Sequence, residues 1–482
     1  MNMTTAHPFW LAGKAATSGN LENVTHPGDG SLVAQYHVPT KEQVDQAVSA
    51  AWNVRQEFQR TTAAQRAEAL MHISKRLSER VEEIAQLILE ENGKPIMWAR
   101  AEAGRATTVF RWAAEEVRRF SGEIQRLDTE AAAAGRMAII RRFPHGPVLG
   151  ISPFNFPMNL VAHKVAPAIA VGAPIIVKPA PSTPLSALLL GEILAEVDLP
   201  QGSWSILPIA NADAPALVAD PRLPVVSFTG SDKVGYEIQK AVPNKHITLE
   251  LGGNAAAIVN DDWNSEADLT WAATRIATFA NYQAGQSCIS VQRVLIHENL
   301  YDQLTAKIVE MVAGLKNGDP RDDKTVVGPL INEAAAIRVE EWVNEAVAGG
   351  AKVLTGGKRS GSFYEPTVLA KVPTDAKVSC NEIFGPVMMV NKISSFEQGI
   401  ALVNDSIFGL QAGVFTHDIQ KAFHAHRELE VGGVIVGDVP TFRSDQMPYG
   451  GVKASGVGKE GLRYAMQDFT HERILVLSGI DL

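Results

Sequence analysis

The sequence predicts an α/β protein built of two doubly wound units with a small β element beside them. Three observations predict it. Between 148 and 260, short runs rich in Val, Ile and Leu alternate with helical stretches: "VLGIS", "PIIVKPA", "WSILPI", "VVSFTG", "HITLELGG" and "AAAIVN". Runs of that length bounded by Gly and Pro fit parallel strands covered on both faces. The alternation resumes from 291 to about 450, which adds a second α/β unit. Two segments, 124–143 ending in "MAIIRRF" and the tail "ERILVLSGIDL", belong to neither unit and read as ordinary edge strands or as strands that pair with another subunit. A chain of 482 residues also exceeds one ordinary core.

The elements before the first unit are mostly helical, apart from a short polar start. "TKEQ" opens a helix over 40–59, with Thr40 as cap and Gln43 reaching back. In the next stretch Leu70, Ile73, Leu77, Ile84 and Leu87 share one face of a single long helix that "ENGKP" stops at 91–95. A third helix covers about 97–119.

Composition excludes several classes. With 46% hydrophobic and 20% charged residues and a net charge of −9, the chain is globular and has no basic footprint for nucleic acid. The longest apolar stretch, "VAPAIAVGAPIIV", is too short to span a bilayer, and the N-terminus lacks the pattern of a signal peptide. Two cysteines make no disulfide framework and suit a reducing, cytoplasmic location. The only close histidine pair, His424 and His426, lacks the companions a metal needs, so no metal is expected.

Residues able to carry chemistry cluster at strand ends and loops. Cys288 lies in "AGQSC", between a helix and a strand, where a thiolate can face a cleft; a lone cysteine is also a common core residue. "SPFNFP" follows the run "VLGI", and its prolines make a rigid turn that aims the Asn155 amide. In "LELGGN", Glu250 sits between leucines, which raises a carboxyl pKa toward general-base work; the alternative is a salt-bridged strand-end carboxylate. "IVKPAPSTP" places Lys178 just past a buried strand. "SFTGSDKVGYEI" puts Gly230 and Ser231 at a helix start that suits phosphate, although the spacing is not GxGxxG.

In this order "PFNFP", "KPA", "FTGS", "LELGGN", "GQSC", "EIFGP" and "PYGGVKASGVGKEG" resemble the aldehyde dehydrogenase superfamily over essentially the whole chain. The resemblance implies its fold: a dinucleotide-binding domain over 1–123 and 145–254, a catalytic domain over 255–452, and oligomerisation strands over 124–144 and 466–482, with 453–465 connecting. It implies Cys288 as nucleophile, Asn155 with the Cys288 N–H as oxyanion hole, and Glu250 as the base that activates water. Hydride leaves for C4 of a nicotinamide, and a thioester remains. Lys178 and Ser231 match residues that hold the adenosine ribose and pyrophosphate; Glu382 and Phe384 match those that position the nicotinamide end. Ser152, Pro153, Phe154, Ala180, Pro181, Gly230, Val234 and Leu251 complete the implied cofactor wall. Cys380 is expected to pack, not react. A homodimer or homotetramer follows by the same resemblance.

The sequence departs from the family pattern at Pro181, where many NAD-preferring relatives carry a ribose-binding glutamate. Its loss permits NADP as well as NAD, with Ser182 in reach of a 2′-phosphate. Glu250 favours hydrolysis over transfer to coenzyme A. "NLVAHKVAPAIA" and "GDVPTFRSDQMPYGG" resemble the branch acting on small aldehydes, with Arg105 and Arg443 as anchors for an anionic or hydroxylated tail. Ser287, small and uncharged, argues against an anion directly beside Cys288, and Phe154 and Phe442 leave room for an aromatic aldehyde. The competing readings are a coenzyme A-acylating semialdehyde dehydrogenase and, last, a binding protein that kept the fold.

Overall fold

The computed structural model describes residues 6–479. Its first sheet is assembled from the Val- and Ile-rich runs. Five central strands are parallel, in spatial order Trp204–Ile206, Ile175–Lys178, Val148–Ile151, Val225–Thr229 and His246–Glu250. The chain builds outward from Val148–Ile151 on one side, then returns to lay Val225–Thr229 on the other. Ligands of doubly wound sheets gather beyond the carboxyl ends at such a reversal. Ser152–Asn155 and Gly230–Ser231 leave the sheet there.

Antiparallel strands close both edges. Gly456–Val457 pairs with His246–Glu250, and Phe9–Leu11 joins Trp204–Ile206 with Lys14–Ala16 beyond it. The opening segment is therefore not a short polar start. Phe9 is fully buried, and the Trp10 indole N–H donates to the Leu188 carbonyl at 2.9 Å. Strands of three residues are too short to show a period.

Thr40 and Gln43 form the expected capping box on Lys41–Arg60. The single long helix predicted next is two, Ala63–Glu79 and Val81–Asn92, separated at Arg80 with φ −108° and ψ 16°. The Arg80 side chain binds Glu83 at 2.7 Å and Glu192 at 2.8 Å. Leu70, Ile73, Leu77, Ile84 and Leu87 are buried in both pieces, so the apolar period runs through the break and hides it. Helix Ile96–Val117 follows.

The second sheet orders Lys352–Thr355, Thr367–Ala370, Val387–Ile393, Arg293–His297, Ala256–Val259, Gln411–Phe415 and Gly433–Val436, all parallel except the first pair. A third sheet joins the stray segments to each other. Thr470–Ser478 runs antiparallel along Arg136–Pro144, which pairs in turn with Glu123–Arg126. The end of the predicted tail strand, 480–482, lies outside the described residues. Among those described, no helix is long and apolar enough to cross a membrane.

Candidate active site

One cavity of about 1260 Å³ opens between the two large sheets, and every site residue predicted from the sequence lies on its wall. At its centre is the thiol of Cys288. Helix Glu266–Asn281 ends in a tight turn in which Gln283 and Ala284 take left-handed φ values of 52° and 53°, and Gly285 follows at 69°. A Cβ on Gly285 would meet the Gly385 carbonyl oxygen at 1.9 Å, so glycine alone fits. This turn delivers Cys288 half-buried onto the cavity wall. Burial pushes its thiol up to about 12, with a hydrogen bond to Tyr449 pulling the other way. The Tyr449 hydroxyl lies 2.9 Å from Sγ.

Asn155 is buried just past Val148–Ile151, and its Nδ2 donates to the Gln286 carbonyl at 3.0 Å. That bond uses one of two amide hydrogens and leaves the second for a ligand. The turn is clamped from behind. Lys94 Nζ donates to the Asn155 carbonyl at 2.9 Å and pairs with Glu102, whose Oε1 accepts from the N–H groups of Met158 and Asn159 at 3.0 and 3.1 Å.

Glu250 ends its strand buried, and neither carboxylate oxygen has a hydrogen-bond partner. Burial, then the nearby Glu460, hold its carboxyl well above the usual range against the pull of Arg443 and Lys164. It is no salt-bridged strand-end carboxylate.

Around these three runs a buried charge network. Glu460 accepts from Arg443 at 3.1 Å and Lys164 at 3.3 Å, and these cations hold its carboxyl down at about 2 against burial. Asp445 binds Arg105 at 2.6 Å and His163 at 2.9 Å. Burial lowers the His163 pKa, so the ring is neutral. Glu460 and Asp445 are faced by Arg443, Lys164 and Arg105, with the Lys164 pKa lowered by burial. Arg443 Nε is buried with no hydrogen-bond partner, and Arg105 Nη1 has none among the described residues. The network thus offers open donors on both arginines. Ser287 is buried beside Cys288, whereas Phe442 stands half-exposed at the rim.

The other end of the cavity fits a nucleotide. Lys178 is buried, and desolvation lowers its pKa to about 8; its Nζ donates to Asn211 Oδ1 at 2.7 Å. Ala180 and Pro181 continue the wall, and Ser231 caps helix Asp232–Ala241 by accepting from the Val234 N–H. Side chains crowd the bare backbone here. A Cβ on Gly230 would lie 2.5 Å from the Phe228 ring, and one on Gly252 would lie 2.6 Å from Glu382. Val234 and Leu251 add apolar surface. Glu382 accepts from the Gly253 N–H at 3.0 Å and is pushed up to about 7 by burial. Phe384, itself at φ 46°, meets Phe154 edge-to-face at 5.9 Å. Beside them Pro153 lines the wall, and Ser152 Oγ is buried without a partner.

The model of the aldehyde dehydrogenase family matches residues 14–475. The chain belongs to the aldehyde dehydrogenase family. Among enzymes of that family, it is 43% identical to a 3-sulfolactaldehyde dehydrogenase of Priestia aryabhattai over 98% of both chains. It matches the crystal structure of aldehyde dehydrogenase 21 from Physcomitrella patens in complex with the reaction product succinate, with TM-score 0.96, 43% identity and 98% of both chains covered. It also matches an NADP-dependent glyceraldehyde-3-phosphate dehydrogenase of Bacillus halodurans complexed with NADP, with TM-score 0.94, 32% identity, and 99% and 100% of the chains covered.

Against the sequence reading, this aldehyde dehydrogenase needs one correction. Cys380 is exposed, its Sγ donating to the Thr374 carbonyl at 3.0 Å, and does not pack in the core. The reading also missed Tyr449, Glu460, His163, Lys164 and Asp445. A signal existed for two: His163 and Lys164 are the only polar side chains between Leu160 and Val171, in a helix buried throughout. Basic residues in an apolar run ask for buried partners.

Proposed function

We propose that this enzyme oxidises a small aldehyde bearing an anionic group to its carboxylate, with NAD or NADP, through a thioester on Cys288. The observation that carries the reading is the convergence of Cys288, Asn155 and Glu250 on one cavity with the open donors of Arg105 and Arg443. The three relatives described above support the substrate class. Sulfolactaldehyde, glyceraldehyde 3-phosphate and the aldehyde corresponding to succinate all carry an anion.

In this scheme the Cys288 thiolate bonds to the carbonyl carbon, and the oxygen, now negative, accepts from Asn155 Nδ2 and the Cys288 N–H. Held beside Glu382 and Phe384, a nicotinamide ring would supply the acceptor for the carbonyl hydrogen and its electron pair. A water then gives its proton to ionised Glu250 and its oxygen to the thioester carbon, and the C–S bond breaks to restore the thiolate. Lys178 and Ser231 hold the nucleotide, and Pro181 leaves no carboxylate to repel a 2′-phosphate. The exposed apolar edge strand Thr470–Ser478, with Ile474 62% and Leu475 55% exposed on opposite faces, supports self-association through the third sheet.

The test is cofactor reduction with succinic semialdehyde, 3-sulfolactaldehyde and uncharged lactaldehyde, each with NAD and with NADP, with and without coenzyme A. The anionic aldehydes should be preferred without need of coenzyme A. Arg105→Gln should raise their KM at least tenfold and leave lactaldehyde nearly unchanged. Equal use of lactaldehyde by the wild type would overturn the anionic class.

A further inference from the structure

We propose that Tyr449 is a further catalytic residue, whose hydroxyl donates a hydrogen bond to the Cys288 sulfur and steadies it as the thiolate before attack and again when the thioester breaks. The inference rests on Cys288 being the nucleophile. Three observations carry it. The Tyr449 hydroxyl is 2.9 Å from Sγ, and among the described residues it is the sulfur's only hydrogen-bond partner, as the sulfur is the hydroxyl's. The ring is fixed: Tyr449 exchanges backbone hydrogen bonds with Glu460 at 3.0 and 2.7 Å, and its ring packs with Ile289 and Leu410. Finally, the Arg443 guanidinium stands 3.8 Å over the ring centroid, which makes the phenol a better donor.

Packing alone would be served by phenylalanine; the hydroxyl is the one polar addition, and it is spent on the reacting atom. Burial holds the thiol neutral and pushes it up to about 12, with the Tyr449 hydrogen bond the largest pull the other way. Among the described residues, the phenol is the one group at hydrogen-bond distance that can donate to the ionised sulfur. The balance favours it. Each unit by which a thiol's pKa falls gives about tenfold more thiolate and loses about threefold in nucleophilicity. On hydrolysis the same bond stabilises the departing thiolate, so both covalent steps gain.

The experiment uses Cys380→Ser protein, in which Cys288 is the sole thiol. The rate of iodoacetamide alkylation is followed against pH, alone and with Tyr449→Phe. The proposal expects the alkylation pKa to rise by about one unit or more and the rate near pH 8 to fall about threefold. A second variant carries 3-fluorotyrosine at 449, a more acidic phenol, and should move the pKa the opposite way. It keeps the proposal testable if the phenylalanine variant does not fold. Unmoved profiles in folded variants overturn it, because a merely packing tyrosine would leave the titration where it is. If alkylated Cys380→Ser protein kept its dehydrogenase activity, the nucleophile reading itself would fall. If alkylation abolished activity while the 449 variants titrated normally, only the role of Tyr449 would fall.

Discussion

At Glu250 the two halves of the proposed reaction separate. Its carboxyl is held above the usual range, chiefly by burial, and it works as a base only when ionised. Hydrolysis should therefore quicken as pH rises through that raised pKa, while acylation depends on the thiol instead. Glu250→Gln should give a burst of reduced cofactor followed by turnover slowed about 100-fold or more. Stopped-flow absorbance reads both phases, and equal loss of burst and steady rate would refute the assignment. That Cys288, Asn155 and Glu250 would meet was legible from the ordered family motifs they stand in, and the three line one cavity. Tyr449 was quoted within "PYGG" and still missed. Its meaning depends on a sulfur 161 positions away, and spacing along a chain does not encode such a contact.

At the scale of elements, the turn after helix Glu266–Asn281 sets the position of Cys288, the proposed nucleophile. Three consecutive left-handed residues end at Gly285, with the Gly385 carbonyl pressed against the missing side chain. Gly285→Ala should displace Cys288 and destabilise the fold by at least about 1–3 kcal/mol. Thermal melting, together with loss of iodoacetamide reactivity at Cys288, checks it; an active variant with wild-type Tm would contradict it. The sequence marked this place as a loop, but not as a strained one, since Gln283 and Ala284 carry no left-handed preference. The break at Arg80 was hidden for a different reason, because both helices bury the same face against one core. Periodicity reports which face is buried, and one helix or two can satisfy it equally.

For the whole molecule, the sheet order explains why so much of the site was legible. Parallel strands with helical crossovers bring their carboxyl ends to one side, so motifs read at successive strand ends were bound to meet. What could not be read was the edges, where Phe9–Leu11 and Gly456–Val457 arrive from opposite ends of the chain. The third sheet sets the remaining expectation. Leu475→Arg places a charge on its exposed apolar strand and should shift the enzyme to a smaller species by light scattering, with the helical content unchanged; an unaltered mass would exclude that strand from assembly. A last consequence concerns inheritance. The stretch 443–460 supplies Arg443, Asp445, Tyr449 and Glu460, and is stapled to itself between the last two. It is a cassette. A single segmental exchange there would replace the proposed substrate anchor Arg443, the partner of Arg105, the Cys288 sulfur's neighbour and the neighbour of Glu250 together, while both large sheets keep their central strands. On the proposed reading, a change of aldehyde therefore asks for one segment to be traded, with the rest of the scaffold left as it was.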